Sequence, residues 1–168
     1  MIVNDGTGFA PNVNLGFGLA TGTYIAVVSN DTRVVEGDVR ELCFPGTVTS
    51  PVVRGKPGIE AGGFHGAFWV IPRDVLDEVG QLDQRFEGGF FEDDDYLERL
   101  RRAGIPTRQV PSVIVESRRV GLTMSKIPER ADAWYAENER RFREKWGWTP
   151  PPTDPELAKS PEWVKRPS

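Results

Sequence analysis

Tyr24-Ile25-Ala26-Val27-Val28-Ser29-Asn30-Asp31-Thr32 is the stretch from which the rest of the chain can be read. Tyr24 to Val28 is a continuous apolar run between Gly22 and Ser29, too short for a buried helix and rich in β-branched residues, so it predicts a buried parallel strand. Ser29-Asn30-Asp31 then delivers an acid just past the strand end, where open α/β sheets present ligand-binding groups.

Working outward, Leu15, Phe17, Leu19 and Ala20 predict a short helix stopped by Gly22. Val34, Val35, Val39 and Leu42 suit a second short helix between Thr32 and Leu42, closed by Pro45-Gly46. Residues 47–63, broken by Pro51 and Pro57, read as irregular or weakly extended. Ala67 to Ile71 is a second strand ended by Pro72, with Asp74 offered as N-cap of a helix running to Gly80. Asp95 to Ala103, stopped by Gly104, is a helix whose acidic start and Arg99, Arg101 and Arg102 complement its dipole. Ser112 to Val115 is a third strand. From Pro128 to Trp146, Ala131, Trp134, Tyr135, Asn138, Phe142 and Trp146 recur at helical spacing, with Glu137/Arg141 and Glu139/Arg143 pairs on the wet side. Strands alternating with helices predict an α/β fold, a mixed but mainly parallel sheet flanked by helices. The expected domain spans 1–148, and the proline-rich 149–168 reads as an extended tail.

The bulk numbers narrow the chemistry. A chain of 168 residues buries a core without disulfides or structural metal. With 25 acidic against 21 basic residues there is no broad positive field for a phosphate backbone, so nucleic acid is not an expected partner. No apolar run spans a bilayer and no leader pattern opens the chain, which makes a cytoplasmic protein the expectation. The lone Cys43 and lone His65 exclude the common structural zinc sets. A metal here would be held by oxygen, and Mn²⁺ or Mg²⁺ are the matching cations.

The second acidic cluster is Glu92-Asp93-Asp94-Asp95, ahead of the 95–103 helix. On residues alone, this run also reads as a complement to a helix dipole, and Asn30-Asp31-Thr32 as an Asx-type turn. Four adjacent carboxylates cannot all ionise freely, so at least one is expected to have a raised pKa.

Taken in order, several motifs resemble family-2 glycosyltransferases of the GT-A fold, in particular the rhamnosyltransferase-like branch. Gly8-Phe9-Ala10, Asn14-Leu15-Gly16, Ala20 and Gly22 are similar to an early segment of that family. The strand followed by Ser29-Asn30-Asp31-Thr32 looks like its Asp-x-Asp-type motif. Gly66-Ala67-Phe68 to Arg73, and Val79-Gly80-Gln81-Leu82-Asp83 with Phe86, look like its acceptor-side segment. Phe90-Phe91-Glu92-Asp93-Asp94-Asp95 with Arg99 and Gly104 resembles its Phe-Glu-Asp-x-Asp block. The resemblance covers residues 1–117 and begins part-way into the family pattern, implying an N-terminally shortened, Rossmann-like member.

The resemblance implies transfer of a sugar, with inversion, from a nucleotide-diphosphate sugar to an acceptor hydroxyl of a glycan, lipid-linked or protein acceptor. Asp31 would hold the metal on the diphosphate, with Glu116 standing where many members carry a metal-binding histidine. Asn30, Asn14 and Arg118 would meet the donor, and His65 and Gly66 the acceptor. Asp93, with Glu92, matches the position of the catalytic base. A non-catalytic glycan- or protein-binding relative and one half of a split enzyme are the alternatives. A shortened sheet leaves an open edge, so a homo-oligomer or partner chain is also expected.

Overall fold

A computed structural model describes residues 8–54, 66–117 and 128–150. In chain order the elements are α1 (Phe9–Leu19), β1 (Tyr24–Val28), β2 (Thr32–Glu36), a 3₁₀ turn (Val39–Leu42), β3 (Val48–Val53), β4 (Phe68–Pro72), α2 (Arg73–Val79), α3 (Glu92–Arg102), β5 (Thr107–Ser117) and α4 (Pro128–Trp146).

The strands form one sheet in the order β1-β4-β3-β5-β2. Three of its neighbour pairs are antiparallel and only β3 and β5 run parallel. The expectation of a mainly parallel sheet is therefore corrected to a mixed, mostly antiparallel one. The physical reason lies in the opening stretch. Its apolar run is not a strand covered on both faces; β1 is an edge strand in which Ile25 alone is buried.

The sheet also curls. β1 and β2 are its two edges, yet only Ser29, Asn30 and Asp31 separate them. Four chain steps reach at most ~14 Å, whereas four flat inter-strand gaps total ~19 Å. The ends of the edge strands must approach each other, and the Asp31 turn sits where they do.

Two other sequence expectations change. The helix expected over Thr32–Leu42 is β2 followed by the 3₁₀ turn, because consecutive Val34 and Val35 favour extended backbone and Gly37, at φ 83°, breaks the run. A Cβ at Gly37 would meet the Ser112 carbonyl oxygen at 2.1 Å, so that crossing requires glycine. Second, the segment read as irregular contains β3, the central strand. Pro51 is tolerated there because the β3–β5 register shifts between Pro51 and Val52.

Alternation along β4 feeds two cores. Trp69 and Ile71 join Phe17, Ile25, Val75, Tyr96 and Leu100 under α1, α2 and α3. Phe68 and Val70 join Leu42, Val53, Val110, Val113 and Val115 on the other face. Trp69, expected in the core from its mid-strand place, meets Phe17 edge-on at 5.9 Å and Tyr96 at 5.2 Å. Such pairs add about 0.5–1.5 kcal/mol each beyond burial. A third cluster, Phe86, Phe91, Phe142 and Trp148, fastens α4 to the loop before α3.

Candidate active site

α3 begins at Glu92, three residues ahead of the start expected at Asp95, so all four acids lie in its first turn. They do not share one environment. Asp95 is fully buried and answered by cations: Lys145 Nζ stands 2.6 Å and Arg99 Nε 3.1 Å away, and the Trp146 indole N–H donates to it at 2.9 Å. The sequence assigned this residue only to the helix dipole; it is the anchor between α3 and α4.

Glu92 and Asp93 have no such cations paired with them among the described residues. Glu92 is 4% exposed and its Oε2 has no hydrogen-bond partner. Burial, and then the adjacent Asp93 and Asp94 charges, push its carboxyl well above the ordinary glutamate range. Asp93 is half-buried. Burial raises its pKa as well, against backbone N–H groups that favour the charged form: Asp94 N–H donates at 3.0 Å, and Gly66 N–H also donates. Adjacent buried acids with upward shifts are the electrostatic arrangement from which a general base is made.

Gly66 explains why the approach is possible. A Cβ there would stand 2.9 Å from Asp93 Oδ2, so any side chain at this position would force the carboxylate to shift. The following residue reaches the opposite way: Ser29 N–H donates to the Ala67 carbonyl at 2.7 Å. Ser29 Oγ lies 2.6 Å from Asp31 Oδ1, and Thr32 N–H closes the turn on the Ser29 carbonyl at 3.0 Å. The Asx-like turn and the first turn of α3 thus each contact the Gly66–Ala67 step, one through Ser29 N–H and the other through Asp93. Asn30 lies within the Asx-like turn and is exposed.

The remaining expected residues are placed elsewhere or fall outside the described residues. Asn14 is buried in α1 with both ends of its amide on Leu82, donating to the carbonyl at 2.8 Å and accepting from the N–H at 2.9 Å. It ties α1 to the 80–83 loop. Glu116 receives Arg33 Nη2 at 2.9 Å and Arg54 Nη1 at 3.0 Å, and these guanidinium contacts lower its pKa. His65 and Arg118 lie outside the described residues.

A metal-binding reading can be tested on the donors present. Among the described residues no group of three His, Cys, Asp or Glu side chains is gathered for a metal. Asp31 nonetheless suits a hard cation that arrives on a diphosphate, because Mg²⁺-type ions are commonly held by one or two carboxylates plus substrate phosphates. Glu116, with both arginines on it, does not supply a ready second carboxylate.

A cavity of about 680 Å³ is lined by Asp83, Arg85, Phe86, Glu87, Arg141 and Lys145 among others, and neither Asp31 nor Asp93 lines it. Its charges are compensated: Asp83 pairs with Arg85 at 2.6 Å and Lys145 at 2.8 Å, and Arg141 with Glu87 at 3.5 Å. Asn138 is a further residue whose importance the sequence did not bring out. It is fully buried in α4 and bonds the backbone of the loop before α3. The available signal was a polar residue inside an apolar helical stripe, since buried polar groups need partners.

No family model and no curated protein matches the chain. Solved structures do. The mannosyltransferase PcManGT from Pyrobaculum calidifontis, in complex with GDP-Man and Mn²⁺, superposes with a TM-score of 0.56 at 19% identity, covering 89% of this chain and 47% of that one. The catalytic domain of Drosophila beta1,4-galactosyltransferase 7 with xylobiose gives 0.47 at 21% identity, covering 60% of this chain and 44% of that one. A mutant of that galactosyltransferase with manganese, UDP-Gal and xylobiose gives 0.46 at 20% identity, with the same coverages of 60% and 44%. The chain spans less than half the length of each of these structures. At these identities the likeness is one of fold: the described elements form a mixed, curled α/β sheet flanked by helices that resembles a GT-A structure.

Proposed function

We propose that this chain carries the metal- and acceptor-side half of an inverting, nucleotide-sugar-dependent glycosyltransferase. The observation that supports it most is that the Ser29–Asp31 turn and Asp93 each contact the Gly66–Ala67 step, Ser29 N–H on the Ala67 carbonyl and Asp93 beside Gly66. The fold likeness to a mannosyltransferase that binds GDP-Man and Mn²⁺ supports the same substrate class.

In this reading Asp93 accepts the proton of an acceptor hydroxyl as its oxygen bonds to the anomeric carbon. The bond from that carbon to the diphosphate breaks on the opposite side, and the electron pair leaves with the diphosphate. Asp31, with Asn30 beside it, lies on the donor side, where its carboxylate would hold Mn²⁺ or Mg²⁺; when bound, the cation supplies positive charge to the leaving group. Glu92, uncharged beside Asp93, leaves the proton-accepting role to its neighbour and avoids a second adjacent anion. Gly66 keeps the acceptor side open by having no side chain against Asp93. Asn14 and Glu116 are not given site roles, because their polar atoms are engaged by Leu82 and by Arg33 and Arg54.

The test uses a panel of nucleotide-diphosphate sugars with Mn²⁺. A member of the panel should raise the melting temperature only in the presence of metal, since ligands that bind the native state alone stabilise it. Asp31→Asn should abolish that joint stabilisation. Asp93→Asn should keep it while lowering turnover about 10²–10⁴-fold, the usual worth of a general base. No response to any sugar nucleotide would overturn the proposal.

We also propose a second copy or partner chain against the sheet edge. Val28 on β1 and Val34 on β2 are 49% and 39% exposed, and unpaired strand edges attract pairing. Light scattering after size exclusion should give a mass above the 18.7 kDa of one chain; a monomer at micromolar concentration would remove this idea.

A further inference from the structure

We propose that Asn138 of α4 is the positioning residue for Asp93, acting through the backbone of Glu87–Phe91; this rests on the reading of Asp93 as the base. The link runs through a loop held in an unusual conformation. Gly88 and Gly89 have φ of 76° and 92°, and Phe91, the N-cap of α3, has φ 69°. Phe91 is the only non-glycine with positive φ among the described residues. A left-handed backbone costs a residue with a side chain about 1–2 kcal/mol, so it persists only where the surroundings hold it.

α4 supplies the hold. Asn138 Nδ2 donates to the Glu87 carbonyl at 2.6 Å and to the Phe90 carbonyl at 3.0 Å, while Oδ1 accepts from the Glu87 N–H at 3.2 Å. The two carbonyls and one N–H fix which end of the amide is which. Both amide protons are used and the residue is fully buried, so another loop conformation would strand its polar atoms. Trp134 lies flush on Gly88, where a Cβ would stand 2.3 Å from its ring. Tyr135 and Phe142 pack the Phe91 ring at 5.1 and 5.7 Å.

The acids are therefore gripped from both flanks. Asn138 fixes the chain entering α3, and Lys145 and Trp146 of the same helix fix Asp95 one turn later. Glu92 and Asp93 lie between these grips, and the Asp93 carboxylate faces Gly66. Releasing Asn138 lets Phe91 leave the left-handed region, which reorients the first turn and moves Asp93 away from the Gly66 N–H.

The experiment follows the Asp93 carboxyl carbon by NMR through a pH titration in a Glu92→Gln background, so that the adjacent acid does not titrate with it. Asp93→Asn assigns the signal, and Val113→Ala, in the other core, serves as a stability control. Asn138→Ala should lower the Asp93 midpoint by about one pH unit, a tenfold change in proton affinity, because hydration relieves burial, the largest cause of the upward shift, and outweighs the loss of the Gly66 N–H bond that favours the charged form. Val113→Ala should leave it in place. Asn138→Ser, which keeps a hydroxyl, should give a smaller shift and serves if the alanine variant does not fold. An unchanged midpoint in a folded Asn138 variant overturns the proposal. A shifted midpoint in a protein that binds no sugar nucleotide supports the positioning while removing the glycosyltransferase reading, so the two fail separately.

Discussion

The two sides of α3's first turn contain the same chemical group in opposite circumstances. Toward α4, Asp95 is buried against Lys145, Arg99 and the Trp146 N–H. At the helix start, Glu92 is almost as deeply buried and has a carboxylate oxygen without a hydrogen bond. A fold that places three side-chain donors on Asp95 leaves Oε2 of Glu92 without one. The first side is built for holding the helix in place and the second bears an electrostatic cost, the pattern expected where stability is given up for chemistry.

Breaking the paired side should have the largest effect on stability. Asp95→Ala removes the acceptor of the Trp146 N–H and one of the two carboxylates on Lys145, which keeps Asp83, a loss of about 2–3 kcal/mol for buried donors left without their acceptor. For a domain of this size each kcal/mol is worth ~2–4 °C, so thermal denaturation should show a fall of roughly 4–12 °C. Destabilisation under about 1 kcal/mol would mean that Asp95 is no anchor, and the contrast between the two sides would disappear.

How much of this contrast was legible in the sequence depends on whether the partners were local. The amphipathic α4 followed from its periodicity, and Glu137/Arg141 and Glu139/Arg143 form the i,i+4 pairs expected. The acidic run was visible, but its division was not. Lys145 and Gly66, which decide the fates of Asp95 and Asp93, are brought in by tertiary packing that no spacing rule reports. Strand direction was misread because an uninterrupted apolar run such as Tyr24–Val28 was taken as a sign of burial on both faces. The turn after β1 was visible, but the β1–β4 pairing that sets Ser29 beside Ala67 is a long-range contact that local pattern does not contain.

The unpaired side should respond to neutralisation in the opposite direction. An acid with a folded-state pKa above its ordinary 4.5 binds its proton more tightly when the chain is folded. That advantage is intact below pH 4.5 and is lost as pH rises toward and through the folded value. Glu92→Gln removes the titration, so at pH 7 the variant should be more stable, by about 1.4 kcal/mol for each unit by which folding raises the carboxyl pKa up to that pH. The melting curves of variant and parent should converge as pH approaches 4.5. A variant less stable at pH 7, or an advantage independent of pH, would show that Glu92 is not held uncharged.

Glu116 gives the smallest effect and an external reference. Arg33 and Arg54 are both more than half exposed, so these ion pairs are hydrated and screened by salt. Contacts to Arg33 first, and then to Arg54, lower the Glu116 pKa, so its contribution is present above the ordinary 4.5 and is lost as pH falls through the folded value. Glu116→Gln should barely move the melting temperature, and what change there is should shrink with added salt. The same variant tests the metal expectation drawn from the sequence. With the carboxylate committed to two guanidinium groups, Mn²⁺ affinity in the presence of a nucleotide diphosphate should be unchanged in Glu116→Gln and lost in Asp31→Asn. Equal losses in both variants would return Glu116 to the metal, and the arginines would then be partners that it gives up when the cation arrives.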